Sequence, residues 1–161
     1  MIGNDIVDLA LARKESNWQR KGFLDKIFTQ KEQLLINSME NPEFTVWNLW
    51  TRKEAAYKIY NRQTNIRGYF PLKLECFYQS ETSGMVSCNG TIYYTNTKIS
   101  DESIYTIAVT EEDYFIQIKD LNLDAKICKT NGIPFIIEEF TKMKKPVSIS
   151  HHGRFWKGIT L

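Results

Sequence analysis

The sequence predicts an α+β fold, and three observations carry that expectation. From Glu43 to about Asn61 apolar residues recur with helical spacing. After Gly68 the texture changes to short runs rich in β-branched and aromatic residues. Between two of those runs stands Asn89-Gly90, the dipeptide suited to a tight two-residue hairpin turn. The expected architecture is an antiparallel sheet packed against a long central helix. No linker or repeat divides the 161 residues, so residues 1–161 are expected to form a single lobe around one core.

Taken in order, Ile2 to Leu9 reads as a short strand leading into a helix, and Glu15 to Phe23 as helix or loop. Thr29 and Glu32 have the spacing of a capping box at the head of a short helix that runs to about Ser38. Asn41-Pro42 marks the turn before the long helix. On that helix, at about 100° per residue, Val46, Leu49, Trp50, Ala56, Tyr57 and Tyr60 share one broad face. Glu54 and Lys58 lie on its flank beside Trp47. Lys53 projects from within the apolar face, where an ammonium must snorkel, pair or meet an anion. Leu72–Tyr78, Gly84–Tyr94 and Ile104–Val109 read as strands, and Phe115–Lys119 and Ala125–Lys129 as further strand pieces. Asn131-Gly132 is a second turn, Glu138–Met143 a short helix, and Val147–Ile149 and Phe155–Thr160 the closing strands.

Composition excludes several classes. With 21 basic and 19 acidic residues the net charge is +2, too balanced to make nucleic acid the default partner. No stretch approaches the roughly 18 consecutive apolar residues of a membrane span. Cys76, Cys88 and Cys128 are widely spaced, without the ligand spacing of a zinc site, and fit a reducing cytoplasm. The N-terminus has neither the basic nor the apolar region of a secretion signal.

Three segments carry chemistry. In Ile2-Gly3-Asn4-Asp5-Ile6-Val7-Asp8-Leu9 an acid sits in an apolar strand, as a metal ligand or as a loop or capping aspartate. In Trp50-Thr51-Arg52-Lys53-Glu54-Ala55-Ala56-Tyr57-Lys58, helical spacing sets Glu54 and Lys58 side by side. A carboxylate with two nearby ammonium groups suits a metal-bound diphosphate; the alternative is a solvated Glu–Lys pair worth roughly 0.2–0.5 kcal/mol. In Pro146-Val147-Ser148-Ile149-Ser150-His151-His152-Gly153, hydroxyls and an imidazole can donate to phosphate, or the segment is a surface loop. His151 and His152 would point apart on a strand, which argues against a two-histidine metal site.

In this order the three segments resemble the 4′-phosphopantetheinyl transferase superfamily. Gly3-Asn4-Asp5-Ile6-Val7 is similar to its Gly-x-Asp-Ile-Val motif, and Trp50 to Lys58 fits Trp/Phe-x-x-Lys-Glu-Ala-x-x-Lys at every fixed position. Ser148-Ile149-Ser150-His151 fits Ser-x-Ser-His, and Phe28-Thr29 with Glu32 resembles a Phe-Ser/Thr-x-x-Glu element. The serine–histidine motif comes last, as in the compact holo-acyl-carrier-protein synthases. Asn131-Gly132-Ile133-Pro134-Phe135 is similar to that group's Gly-Lys-Pro turn, with Ile133 departing from lysine. The hairpin-rich stretch from Ser80 to Thr110 resembles an insertion relative to the compact type, and also the closing strands of the larger, two-lobed type. Val7 stands where the larger enzymes often carry a glutamate.

The resemblance implies transfer of phosphopantetheine from coenzyme A to a serine of an apo carrier protein, with magnesium, releasing adenosine 3′,5′-bisphosphate. It places Asp5 and Glu54 on the metal and Lys58, with Lys53 second, on the diphosphate. His151, helped by Ser148 or Ser150, falls on a coenzyme A phosphate, most simply the 3′-phosphate. The serine proton would go to a water at the metal or to Glu54. Arg13, Lys14, Arg20 and Lys21 either steer an acidic carrier or are simply solvated. Compact members assemble so that neighbouring subunits complete each site, which implies a homo-oligomer, a trimer by resemblance. The competing reading is a non-catalytic relative that binds coenzyme A or a carrier without turnover.

Overall fold

The computed structural model describes residues 1–161. Strand β1 (Ile2–Asp8) is buried along its whole length. It runs into helix α1 (Leu9–Glu15), whose first amides, those of Ala10 and Leu11, are capped by the Asp8 carboxylate. Two further short helices follow, α2 (Phe23–Ile27) and α3 (Gln30–Ser38), and α3 carries the full capping box of Thr29 and Glu32.

Helix α4 (Pro42–Thr64) is the long central helix, 23 residues. Its start follows from Asn41, whose side chain accepts the Phe44 amide, and from Pro42 in the first turn, where a missing N–H costs nothing. It stops at Asn65, which takes the left-handed conformation with φ 56°. Strands β2 (Leu74–Tyr78), β3 (Ser83–Cys88), β4 (Thr91–Ile99) and β5 (Ser103–Val109) form an antiparallel meander that returns to β1, giving the sheet order β1-β5-β4-β3-β2. Asn89 and Gly90 turn between β3 and β4 with φ 49° and 82°, as that dipeptide dictates. A second five-stranded sheet has the order β6-β10-β9-β8-β7, built from β6 (Lys119–Leu121), β7 (Cys128–Thr130), β8 (Ile133–Ile137), β9 (Lys144–His152) and β10 (Phe155–Thr160).

Two local expectations are corrected. Glu112–Gln117 is a 3-10 helix and the strand begins only at Lys119, because Phe115 packs with Tyr114 against Ile2, Val109 and Ile159 rather than into a ladder. Glu138–Met143 is no helix. Lys142 takes φ 57°, and the Glu138 side chain accepts from Thr141 and pairs with Lys145, which folds the segment into a turn between β8 and β9.

The main core lies between α4 and the first sheet. Leu49, Ala56 and Ile59 meet Leu74, Val86, Tyr93, Ile104 and Ala108, while Phe23, Phe28 and Ile36 from the short helices join the same cluster. Each fully buried aliphatic side chain of this kind contributes about 1.5–3 kcal/mol. Gly3 is where β1 comes closest to α4: a Cβ there would lie 2.0 Å from the Ala55 carbonyl oxygen. That approach sets Asp5 beside the face of α4 that bears Glu54 and Lys58.

Lys53 takes the pairing route open to an ammonium on an apolar face. It is fully buried and donates to Glu32 Oε2 at 2.7 Å and to the carbonyls of Ile27 and Pro71 at 2.9 Å each. Glu32 in turn accepts the Thr29 and Cys76 amides, so one carboxylate ties α3, α4 and β2 together. Removing one partner leaves a buried, uncompensated charge. Lys53→Met is therefore expected to lower unfolding free energy by about 3–5 kcal/mol, read from urea denaturation; a loss under about 1 kcal/mol would contradict the pairing.

Candidate active site

The two sheets meet along β1 and β9, and side chains close the seam. The β1 amides of Asn4, Ile6 and Asp8 donate to Ser148 Oγ (3.0 Å), Ser150 Oγ (3.2 Å) and His152 Nδ1 (2.9 Å). Alternation along a strand makes this possible, because residues 148, 150 and 152 face one side of β9. From α4, Lys58 donates to the carbonyls of Asn4 (2.6 Å) and Ile149 (3.1 Å), and Arg62, one turn on, to those of Ile2 and Val147. Every donor and acceptor named here is part of the scaffold, and several also border the candidate site.

Asp5 stands at the centre of the seam. Its Oδ1 accepts from Ser150 Oγ at 2.8 Å and from Lys58 Nζ at 3.4 Å. Burial raises its pKa, opposed by Lys58 and Ser150. Glu54 lines the same cavity, of about 250 Å³, with Trp47, Trp50, Ala12, Ser16 and His151. Burial and then the Asp5 charge push Glu54 up to about 7, with Lys58 acting the other way, and no hydrogen bond steadies it. Two carboxylates thus face one small cavity, each disfavouring the other's charge. That is a donor set suited to a hard divalent cation, whose charge would relieve both. No group of three or more His, Cys, Asp or Glu side chains comes together, so the protein offers such a cation two carboxylates and leaves the other positions to substrate oxygens and water.

A second cavity, of about 320 Å³, adjoins the first across His151. It is lined by Tyr57, Lys58, Arg62, Lys129 and Ser148, among others. Charge is therefore segregated: carboxylates on one side, two ammonium groups and a guanidinium on the other. His151 is exposed and borders both cavities. His152 faces the seam, as strand alternation requires, and its acceptor nitrogen is fully used by the Asp8 amide.

The structure brings Asp5, Glu54, Lys58, Ser148, Ser150 and His151 together. It does not bring Lys53, whose three ammonium hydrogens are all engaged inside the core. The two serines stand differently from a phosphate-binding pair: Ser148 gives its hydrogen to Asn4 Oδ1 and Ser150 to Asp5 Oδ1, while both accept from β1. Ser150 braces Asp5 directly, and Ser148 braces its neighbour Asn4. Arg62 and Lys129 were not singled out from sequence. Arg62 is signalled by its i,i+4 spacing from Lys58, and burial lowers its pKa to about 10; Lys129 carries no local signal. Of the basic group near α1, Arg13 is paired with Glu43 at 3.0 Å, while Lys14, Arg20 and Lys21 are exposed. Ala12 and Ser16 place this segment at the rim of the acidic cavity.

Arg154 secures the end of the seam. It grips the Asp8 carboxylate through Nε (2.9 Å) and Nη2 (3.1 Å), which holds that carboxyl well below the usual range. Gly153 makes the turn at φ 54°, where a Cβ would meet Asp8 Oδ2 at 2.5 Å.

Comparison with known proteins identifies the fold and the family. Holo-[acyl-carrier-protein] synthases of Campylobacter jejuni strains 81-176 and NCTC 11168 are each 42% identical over 57 residues, which is 35% of this chain and 46% of theirs. The chain thus spans about half the length of the curated relatives it matches. The crystal structure of Helicobacter pylori holo-[acyl-carrier-protein] synthase in complex with coenzyme A superposes with a TM-score of 0.54 at 16% identity, covering 68% of this chain and 98% of that one. The fold is therefore that of the synthase. The family model of the 4′-phosphopantetheinyl transferase superfamily matches residues 1–119, the stretch that holds Asp5, Glu54 and Lys58, and the chain belongs to that superfamily.

Proposed function

We propose that this chain is a holo-acyl-carrier-protein synthase, moving 4′-phosphopantetheine from coenzyme A to a serine of an apo carrier protein. The observation that carries the reading is the convergence of Asp5 from β1 with Glu54 and Lys58 from α4, at the border between an acidic and a basic cavity. In the reaction the serine oxygen bonds to the phosphorus that carries pantetheine. The phosphoanhydride bond breaks, and adenosine 3′,5′-bisphosphate leaves with the electron pair.

Asp5 and Glu54 would hold magnesium, which supplies neutralisation of charge on the diphosphate. Lys58 is fixed by two carbonyls, and its longer contact, to Asp5 at 3.4 Å, is the one a diphosphate oxygen would replace. Ser150 keeps Asp5 oriented throughout. His151, with no bond inside the chain and Lys129 across the cavity, is the group offered to the coenzyme A 3′-phosphate. The serine proton would go to a water at the metal or, among the chain's own groups, to Glu54, whose carboxylate no hydrogen bond engages. Lys14, Arg20 and Lys21, exposed in the same segment as Ala12 and Ser16, suit an acidic carrier surface.

The basic cavity opens to solvent beside β8 and β9. A neighbouring subunit would close it in a symmetric homo-oligomer, by family resemblance a trimer. Three free thiols, two of them buried, fit a reducing cytoplasm. No helix is long and apolar enough to cross a membrane.

Incubation with coenzyme A, magnesium and a panel of apo carrier proteins should add the mass of one phosphopantetheine to at least one carrier, and excess chelator should stop it. Transfer that persists in chelator overturns the metal role; no transfer to any carrier favours binding without turnover.

Glu54→Gln tests the acidic cavity through both activity and stability. Turnover should fall by about 100-fold or more. In chelator the same change should stabilise the fold at high pH. A raised carboxyl favours the neutral form in the native state, so its contribution is complete below about 4.5 and is lost as pH rises through about 7. At pH 8 the variant is expected to gain on the order of 2–3 kcal/mol over the parent, and at pH 4.5 nothing. Equal urea midpoints at pH 8 would show that Glu54 is not buried against Asp5.

His151→Ala should weaken coenzyme A binding by roughly tenfold, and 3′-dephospho-coenzyme A binding far less. Equal losses with both cofactors would remove His151 from the 3′-phosphate.

A further inference from the structure

Beyond the basic cavity lies another, of about 270 Å³, that the phosphate chemistry leaves unused. The two adjoin across Asn61 and Ile133, which line both. Asn65, Arg67 and Asn131 complete the wall, so side-chain amides dominate it and no acid is present. None of these residues lies in the segments that hold Asp5, Glu54 and Lys58, or His151. Apart from Arg67 the lining is neutral, whereas the basic cavity carries Lys58, Arg62 and Lys129. Phosphate oxygens belong with those cations. An amide offers a donor and an acceptor side by side. A phosphate, which only accepts, cannot match both, but the edge of a purine can.

Local structure fixes this wall. Asn61 Nδ2 donates to the Ile66 carbonyl at 2.6 Å. Arg67 Nη2 donates to the Asn131 carbonyl at 2.6 Å, which ties the chain after α4 to the turn between β7 and β8. Asn65 and Asn131 hold left-handed conformations, φ 56° and 50°, which asparagine tolerates. Their side-chain amides make no bond within the chain. Helix α4 sets the order of groups. Glu54, Lys58, Asn61 and Asn65 follow one another at i, i+4, i+7 and i+11, along a single stripe. Asn65 lies two turns beyond Lys58, about 10 Å along the axis. That is about the reach of a ribose and a base beyond a diphosphate held at Lys58, with the basic cavity between them.

We propose that this pocket selects the base of coenzyme A. The amides of Asn65 and Asn131 take the amino and ring-nitrogen edge of adenine, and the Arg67 guanidinium packs on its plane. The proposal rests on coenzyme A being the substrate. What it adds is that four side chains outside the reacting centre read the nucleoside, so the chain discriminates against a cofactor whose base edge is altered.

The test is calorimetric titration of the full chain, with magnesium, against coenzyme A and against etheno-coenzyme A, in which the amino edge of the base is closed into a ring. The parent chain should bind coenzyme A about tenfold more tightly, the worth of one or two hydrogen bonds. Replacing both asparagines, Asn65→Gly with Asn131→Gly, should bring that ratio to about twofold or less by weakening coenzyme A alone. Glycine takes the left-handed conformation freely, so the thermal midpoint should hold and the loss reports the amides rather than the turns. Arg67→Ala should weaken both cofactors alike, by about threefold to fivefold. Equal affinities in the parent chain, or a ratio unmoved in the double glycine variant, would overturn the base site while leaving the transfer reaction standing. No binding of coenzyme A at all would overturn both.

Discussion

The structure depends on how the free edge of β1 is satisfied. One edge of this buried strand pairs with β5 in an ordinary antiparallel ladder. The other has no backbone partner, yet it lies where water cannot serve it. Its amides go instead to two serines and a histidine of β9, and its carbonyls to a lysine and an arginine of α4. That arrangement fuses two five-stranded sheets and the central helix along one line. It also carries Asp5 into a buried position, because Asp5 sits between the alternate residues whose amides are held.

Scaffold and chemistry therefore share groups. Lys58 joins Asn4 to Ile149 and is also the cation nearest Asp5. Ser150 holds the β1 backbone and orients the Asp5 carboxylate. Changes at these positions will mix loss of stability with loss of activity. Glu54, His151 and Lys129 are cleaner probes, since none of them holds the seam. The energetic strain is concentrated in the acidic cavity, where burial raises both Asp5 and Glu54. A cation held there would remove a cost the fold otherwise bears.

The motif that bears Glu54 divides its labour by helical angle. Arg52, Lys53, Glu54 and Lys58 are close in sequence but face different neighbours. Arg52 anchors the β2–β3 loop, Lys53 pairs with Glu32 in the core, Glu54 enters the cavity, and Lys58 reaches the seam. Successive residues on a helix are turned by about 100°, so neighbours in the chain need not be neighbours in function.

Local rules determined much from the sequence alone. The capping box at Thr29, the start of α4 at Asn41-Pro42, the helical period of α4 and the Asn89-Gly90 turn are each set by a few adjacent residues, and each stands where expected. The motifs containing Asp5, Glu54, Lys58 and His151 were legible for the same reason. Tertiary structure decided the rest. Whether Lys53 met a phosphate or a carboxylate turned on Glu32, 21 residues away, and the occupation of both serine hydroxyls turned on a strand 144 residues earlier. The division into two sheets, the 3-10 turn at Glu112–Gln117 and the place of Lys129 likewise follow from long-range packing. Hydrogen bonds between distant backbone edges leave no periodic trace in a sequence, because what they need is only a donor and an acceptor brought together by the fold.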